Sequence, residues 1–144
     1  MKKAFFPTMM LAALCLMPVP ARADDSPLAK QMETLDDAYK AFRRETDPVK
    51  GAKAAREAQE SVLKAIPMAP AMFEGMPDGE AKAKGLVEYR VQMGKLFVSL
   101  CEVEAAFVAK DLEKVAELVT TLKGQKKKGH DEFIPEEEED DSVE

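Results

Sequence analysis

An all-α fold, an antiparallel up-down-up-down four-helix bundle, is what this 144-residue sequence predicts, and three observations predict it. Apolar residues recur at helical spacing in four separate segments between Leu28 and Leu122. The breaks between these segments are short and marked by capping residues, except for one long central stretch rich in Pro, Gly and Met. Nothing in the body alternates as a half-buried strand would. Two helices, a longer connection and two more helices make a bundle with short outer turns.

The elements follow in order. Residues 1–23 read as a cleavable export signal: a basic start (Lys2, Lys3), an apolar run broken by Pro7, Pro18 and Pro20, and an Ala21-Arg22-Ala23 cleavage site. The run is shorter than the ~20 apolar residues of a membrane-spanning helix, so no membrane anchor is expected. Export points to the periplasm.

The bundle is expected over residues 24–133. Ser26 and Pro27 open the first helix as N-cap and first helical residue. Leu28, Met32, Leu35, Tyr39 and Phe42 stripe it at steps of 4, 3, 4 and 3, a bundle's heptad spacing. Asp47 and Pro48 open the second helix, whose apolar side reads as Ala52, Ala55, Val62, Leu63 and Ile66. Residues 66–80 hold three prolines, two glycines and three methionines and cannot run as a regular helix. A third helix starts near Glu80, with Leu86, Tyr89, Met93, Leu96, Phe97, Leu100, Val103 and Phe107 on one side. Asp111 caps a fourth, striped by Leu112, Val115, Leu118, Val119 and Leu122. Gly124 and Gly129, each costing about 1 kcal/mol against alanine, weaken its end.

Residues 134–144 form an acidic tail expected to be disordered. Without the leader the chain has 18 bases and 27 acids, and nine of those acids fall in residues 131–144. The body is therefore neutral and has no basic face, which argues against nucleic acid as a partner. Cys15 leaves with the leader and Cys101 remains alone, so there is no intrachain disulfide framework. Cys101 reads as an inert packed thiol, with intermolecular pairing as the alternative. A monomer is expected.

His130, in KGQKKKGHDEF, is the only histidine in the chain. Eleven residues separate it from Val119, three helical turns plus about 20°, so a continuous fourth helix places it on the core-facing stripe. Met32 lies in the first turns of the first helix, on its apolar stripe. In an up-down-up-down bundle the start of the first helix and the end of the fourth share one end. A lone terminal histidine and a heptad methionine each have a plain structural reading, solvation and core packing. Facing each other across one bundle end, they can instead ligate a haem iron axially.

These residues carry a resemblance. The segment QMETLDDAYK, with Met32-Glu33-Thr34-Leu35 matching outright, and a helix ending in a lone histidine at the far end resemble the cytochrome b562 family. KAIP at residues 64–67 is similar to the family's KATP ahead of the long loop, and the resemblance covers most of Leu28–Phe133. It implies a periplasmic b-type cytochrome, not an enzyme, with Met32 and His130 as axial ligands. It also places Leu35, Pro67, Tyr89 and Met93 along the haem pocket, although the family often has phenylalanine where Tyr89 and Met93 stand. Lys126 is the candidate propionate partner. Covalent attachment would need Cys-x-x-Cys-His, and Lys126–His130 reads Lys-Lys-Lys-Gly-His, so haem b is expected to be held non-covalently. The loop after Pro67 is longer than the family's, and the acidic tail has no counterpart in it.

A one-electron carrier with an unidentified redox protein as partner is the leading expectation. No nucleophile set for catalysis is present. The rival reading is a copper-binding bundle using the soft thioethers of Met68, Met72 and Met76. The plainer account of those methionines is an apolar loop closing the bundle's other end. A haem-free bundle that binds a protein through this loop is the third reading.

Overall fold

The computed structural model describes residues 26–134. The expected leader, and the expected tail beyond Ile134, lie outside the described residues. The described chain is α1 (Pro27–Phe42), α2 (Pro48–Ala65), a 3₁₀ turn at Ala71–Phe73, α3 (Glu80–Val108) and α4 (Leu112–Phe133). Among the described residues there is no strand. The four-helix bundle read from the sequence is the observed architecture.

Each expected cap forms. Ser26 Oγ accepts from the Ala29 amide at 3.0 Å, and Asp47 Oδ1 from the Val49 and Lys50 amides at 2.9 and 3.0 Å. Asp111 Oδ1 accepts from the Lys114 amide at 2.9 Å. Such caps satisfy amides that the first helical turn leaves without partners, for about 1 kcal/mol each. Between α3 and α4, the Asp111 amide donates to Ala106 O and the Lys110 amide to Phe107 O, both at 2.9 Å. This is a Schellman ending, with Lys110 at φ 59° in the left-handed position that glycine normally fills.

The core is densest where α1 meets α2 and α3 meets α4. Phe42, Val103 and Phe107 are fully buried there, with Leu100 toward the middle of the bundle and Val62 nearer the connecting loop. α2 reaches this core with small residues: Gly51, Ala54, Ala55 and Ala58 are buried. A Cβ on Gly51 would lie 2.3 Å from the Phe107 ring, so the close approach of α2 to α3 depends on glycine at that position.

Two expected core positions are corrected. Leu63 is 52% exposed and Leu112 41% exposed. Val62 holds the inward position on α2, and its neighbour lies about 100° round the helix, outside. Leu112 stands at the first position of α4, one turn before the buried stripe begins at Val115.

α1 packs on α2, α2 on α3 and α3 on α4, whereas α1 and α4 have no comparable backbone approach. That seam is the loose side of the bundle. α4 runs unbroken through Gly124 and Gly129, and the Ile134 amide donates to His130 O at 3.0 Å. The expected weakening does not interrupt the helix. Lys127 pairs with Asp131 at 2.7 Å and Lys128 with Glu132 at 3.5 Å along its last turns. Phe133 packs edge-on to Tyr89, with ring centroids 5.5 Å apart.

Candidate functional site

The loose seam is where the two candidate ligands come together. Lys126 Nζ of α4 reaches Asp36 Oδ1 of α1 at 2.5 Å, and Lys40 holds the other oxygen of Asp36 at 2.7 Å. Hydrogen bonding from Lys126, then from Lys40, pulls the Asp36 carboxyl down to a pKa of about 2. This contact fixes the register of two antiparallel helices. One turn further toward the same end stand Met32, four residues before Asp36, and His130, four residues after Lys126. Met32 and His130 therefore occupy one level on the two walls of the seam.

Their burial differs. Met32 and Leu35 are half-buried and packed against the core cluster. His130 is exposed, which corrects its expected place on the core-facing stripe. The buried line on α4 runs Val115, Leu118, Leu122 and on to half-buried Gly129 and Phe133. His130 lies about 100° round from Gly129, on the flank that turns toward α1. Val119, its alignment mate, is half-buried on that same flank and packs against the edge of the core. His130 lines a groove of about 530 Å³ along the seam with Tyr39, Arg43, Lys123, Lys126, Lys127 and Asp131. Met32 is on the seam but does not line this groove.

The other expected pocket residues are distributed around the same end. Tyr89 and Met93 of α3 are buried, at 4% and 7% exposure. The Tyr89 hydroxyl donates to Ala65 O at 3.0 Å, and burial pushes its pKa up to about 12. Pro67 is exposed. Lys126 is engaged with Asp36, and Lys127 and Lys128 with acids of their own helix, so each candidate propionate partner already has an ionic contact.

The connecting loop carries a correction and an omission. α2 ends and α3 begins at the same end of the bundle as Met32 and His130, so the loop closes that end and not the other one. Its contribution is Phe73, 3% exposed, whose ring lies 6.3 Å from that of Phe133 and against Gly85. Phe73 went unread because a single aromatic in an irregular segment has no period to mark its face. Met68 and Met76 are half-buried and Met72 is exposed. Among the described residues no group of three or more His, Cys, Asp or Glu side chains could hold a metal ion. Cys101 is half-buried, and burial, then Glu104 and Glu102, push its thiol up, which favours the unreactive protonated form.

The donor set fits a haem. One imidazole and one thioether stand level on facing helices, and neither has a hydrogen-bond or metal partner within the described residues. Half-buried Leu28, Met32, Leu35 and Phe133 supply apolar surface around the seam, and Arg43, Lys123 and Lys127 make the groove's edge cationic. A bundle with one open seam lined in this way belongs to the class that holds a flat, metal-centred cofactor between two helices. The comparisons with known proteins agree. The family described as cytochrome b562 matches residues 27–133, essentially the whole described structure. The chain belongs to the cytochrome b562 family, a family of b-type haem cytochromes and not of enzymes. No curated protein matches the chain.

Proposed function

We propose that this protein is a periplasmic one-electron carrier that binds one haem b non-covalently, with Met32 and His130 as the axial ligands. The observation that carries the reading is the Asp36–Lys126 contact, which sets Met32 and His130 at one level across the open seam. Bound haem with both axial positions taken by side chains supplies one-electron chemistry at iron and leaves no open site for a substrate. Leu35, Tyr89 and Met93 contribute apolar surface that keeps water from the ring. Lys126 can turn from Asp36 to a propionate, and Arg43 and Lys123 stand beside it on the groove's edge. The thioether raises the reduction potential above that of a bis-histidine site. Export rests on the leader-like residues 1–23, and among the described residues no helix is long and apolar enough to cross a membrane.

The test is an absorption spectrum of the protein expressed with its leader, before and after dithionite, followed by a redox titration. The expected result is one haem per chain, resolved α and β bands on reduction, and a reversible one-electron wave. A colourless protein that also leaves added hemin unperturbed would overturn the reading. Tight binding of Cu(I) by that colourless protein, lost on removing Met68, Met72 and Met76, would establish the copper alternative instead.

A further inference from the structure

The last turns of α4 carry His130 with little of their own to hold them. Gly124 and Gly129 lower the tendency of this segment to stay helical. α1 stands off on one side, and the pairs Lys127–Asp131 and Lys128–Glu132 lie within α4 and tie it to no other helix. A segment of this kind keeps its position through tertiary packing and not through propensity. Beyond Lys126, Glu132 accepts from Gln92 on the exposed surface, while Phe133 turns inward.

Phe133 meets two rings. Tyr89 of α3 lies edge-on at 5.5 Å, its hydroxyl fixed on Ala65 O at the end of α2. Phe73 of the connecting loop lies at 6.3 Å, tilted by 50°. Phe73 is 3% exposed although Met72 and Glu74 beside it are exposed, and it stands outside the core cluster that joins the four helices. Its ring fills a notch that α3 leaves at Gly85, where a Cβ would lie 2.5 Å from Phe73 Cε1. One turn earlier on α3, Lys82 Nζ donates to Met76 O at 3.2 Å and to Asp78 Oδ1 at 3.0 Å. Lys82, Gly85 and Tyr89, at steps of 3 and 4, form one face that receives the loop and the end of α4 together.

We infer that Phe73 is a positioning residue for His130: the loop, seated at Gly85, holds Phe133 and with it the last turn of α4 against α3. The inference rests on the haem-ligand role proposed for His130. Phe133 follows His130 by three residues, about 60° round the axis, so a fixed ring at 133 fixes the direction in which the imidazole leaves the helix. Phe73 acts through Phe133 and not by contact with the iron. The loop thereby takes the place of the contact that α1 does not make, and the seam stays open with its ligand already placed.

The test is haem loss from the haem-loaded full chain to excess apomyoglobin, in wild type, Phe73→Ala, Gly85→Ala and Phe107→Ala. Hydrogen exchange of residues 126–133 in the haem-free full chain runs beside it. Phe73→Ala should lose haem about 10-fold faster and show a high-spin fraction absent from the wild type, because one aromatic pair and its seat are gone. Gly85→Ala keeps every ring, but its added methyl displaces Phe73. It should lose haem as Phe73→Ala does while lowering the urea midpoint far less than Phe107→Ala, a change at the far end of the bundle that leaves haem loss slow. In the haem-free chain both Phe73→Ala and Gly85→Ala should speed exchange in residues 126–133. Exchange there at the same rate in Phe73→Ala as in the wild type, haem loss unchanged in both variants, or haem loss from Phe107→Ala as fast as from Phe73→Ala, would overturn the inference. A wild type that takes up no haem would overturn the proposed function instead, and the exchange comparison would then decide the role of Phe73.

Discussion

The two ends of this bundle are built from the same four helices and the same spacing of apolar residues, yet only one is sealed. At the end where α1 turns into α2 and α3 into α4, Phe42, Val103 and Phe107 are fully buried, and α2 approaches closely on glycine and alanine. At the other end Leu28, Met32, Leu35 and Phe133 are only half-buried, and α1 and α4 stand apart. The first end supplies most of the packing that makes the fold. The second is left incomplete along one seam, which is where a cofactor can complete it. Stability and function are divided along the length of the bundle.

Substitutions at the two ends should therefore separate stability from cofactor binding. The largest effect belongs to the sealed end: Phe107→Ala is expected to cost about 3–5 kcal/mol in chemical denaturation, with a cavity left against Gly51. The protein that remains folded should keep its affinity for haem, and a proportionate loss of affinity would break the division. At the open end Tyr89→Phe should cost about 1 kcal/mol, because it removes the hydrogen bond to Ala65 O while keeping the ring against Phe133.

The cross-seam pair gives a smaller and pH-dependent effect. Asp36 has its folded-state pKa depressed from 3.8 to about 2, so its contribution to stability is present above pH 3.8 and is lost as the pH falls toward 2. Because the pair is partly open to solvent, screening keeps the contribution to about 1 kcal/mol or less. Asp36→Asn should be that much less stable than the wild type at pH 7, with the difference shrinking as the pH falls through 2, as read from urea midpoints. A difference as large at pH 2 as at pH 7 would mean that Asp36 acts through packing and not through its charge.

Much of the fold was legible because its signals are local. Ser26-Pro27, Asp47-Pro48 and Asp111 announced three helix starts, and the 4-3 spacing on α1 and α3 identified the faces that meet. The small-residue face of α2 was harder to read. Gly51, Ala54 and Ala58 signal close approach by lacking bulk, and Leu63 beside Val62 drew attention to the wrong side. The angle of His130 relative to Val119 was readable from the helical period. Its burial was not, because that depends on α1 standing off from α4, a tertiary fact without a local signature. The loop's end of the bundle follows from topology alone, whereas Phe73 inside it does not.

The central claim is that Met32 and His130 meet one haem iron across the open seam. The most direct measurement is the spin state and axial ligation of the haem-loaded protein, by absorption and electron paramagnetic resonance, in wild type, Met32→Ala and His130→Ala. The predicted result is a low-spin haem in the wild type with a thioether-to-iron charge-transfer band in the ferric form. Met32→Ala should lose that band and become high-spin, and His130→Ala, whose exposed side chain adds little to the stability of the fold, should lose most of its haem. Spectra unchanged in either variant would contradict the account.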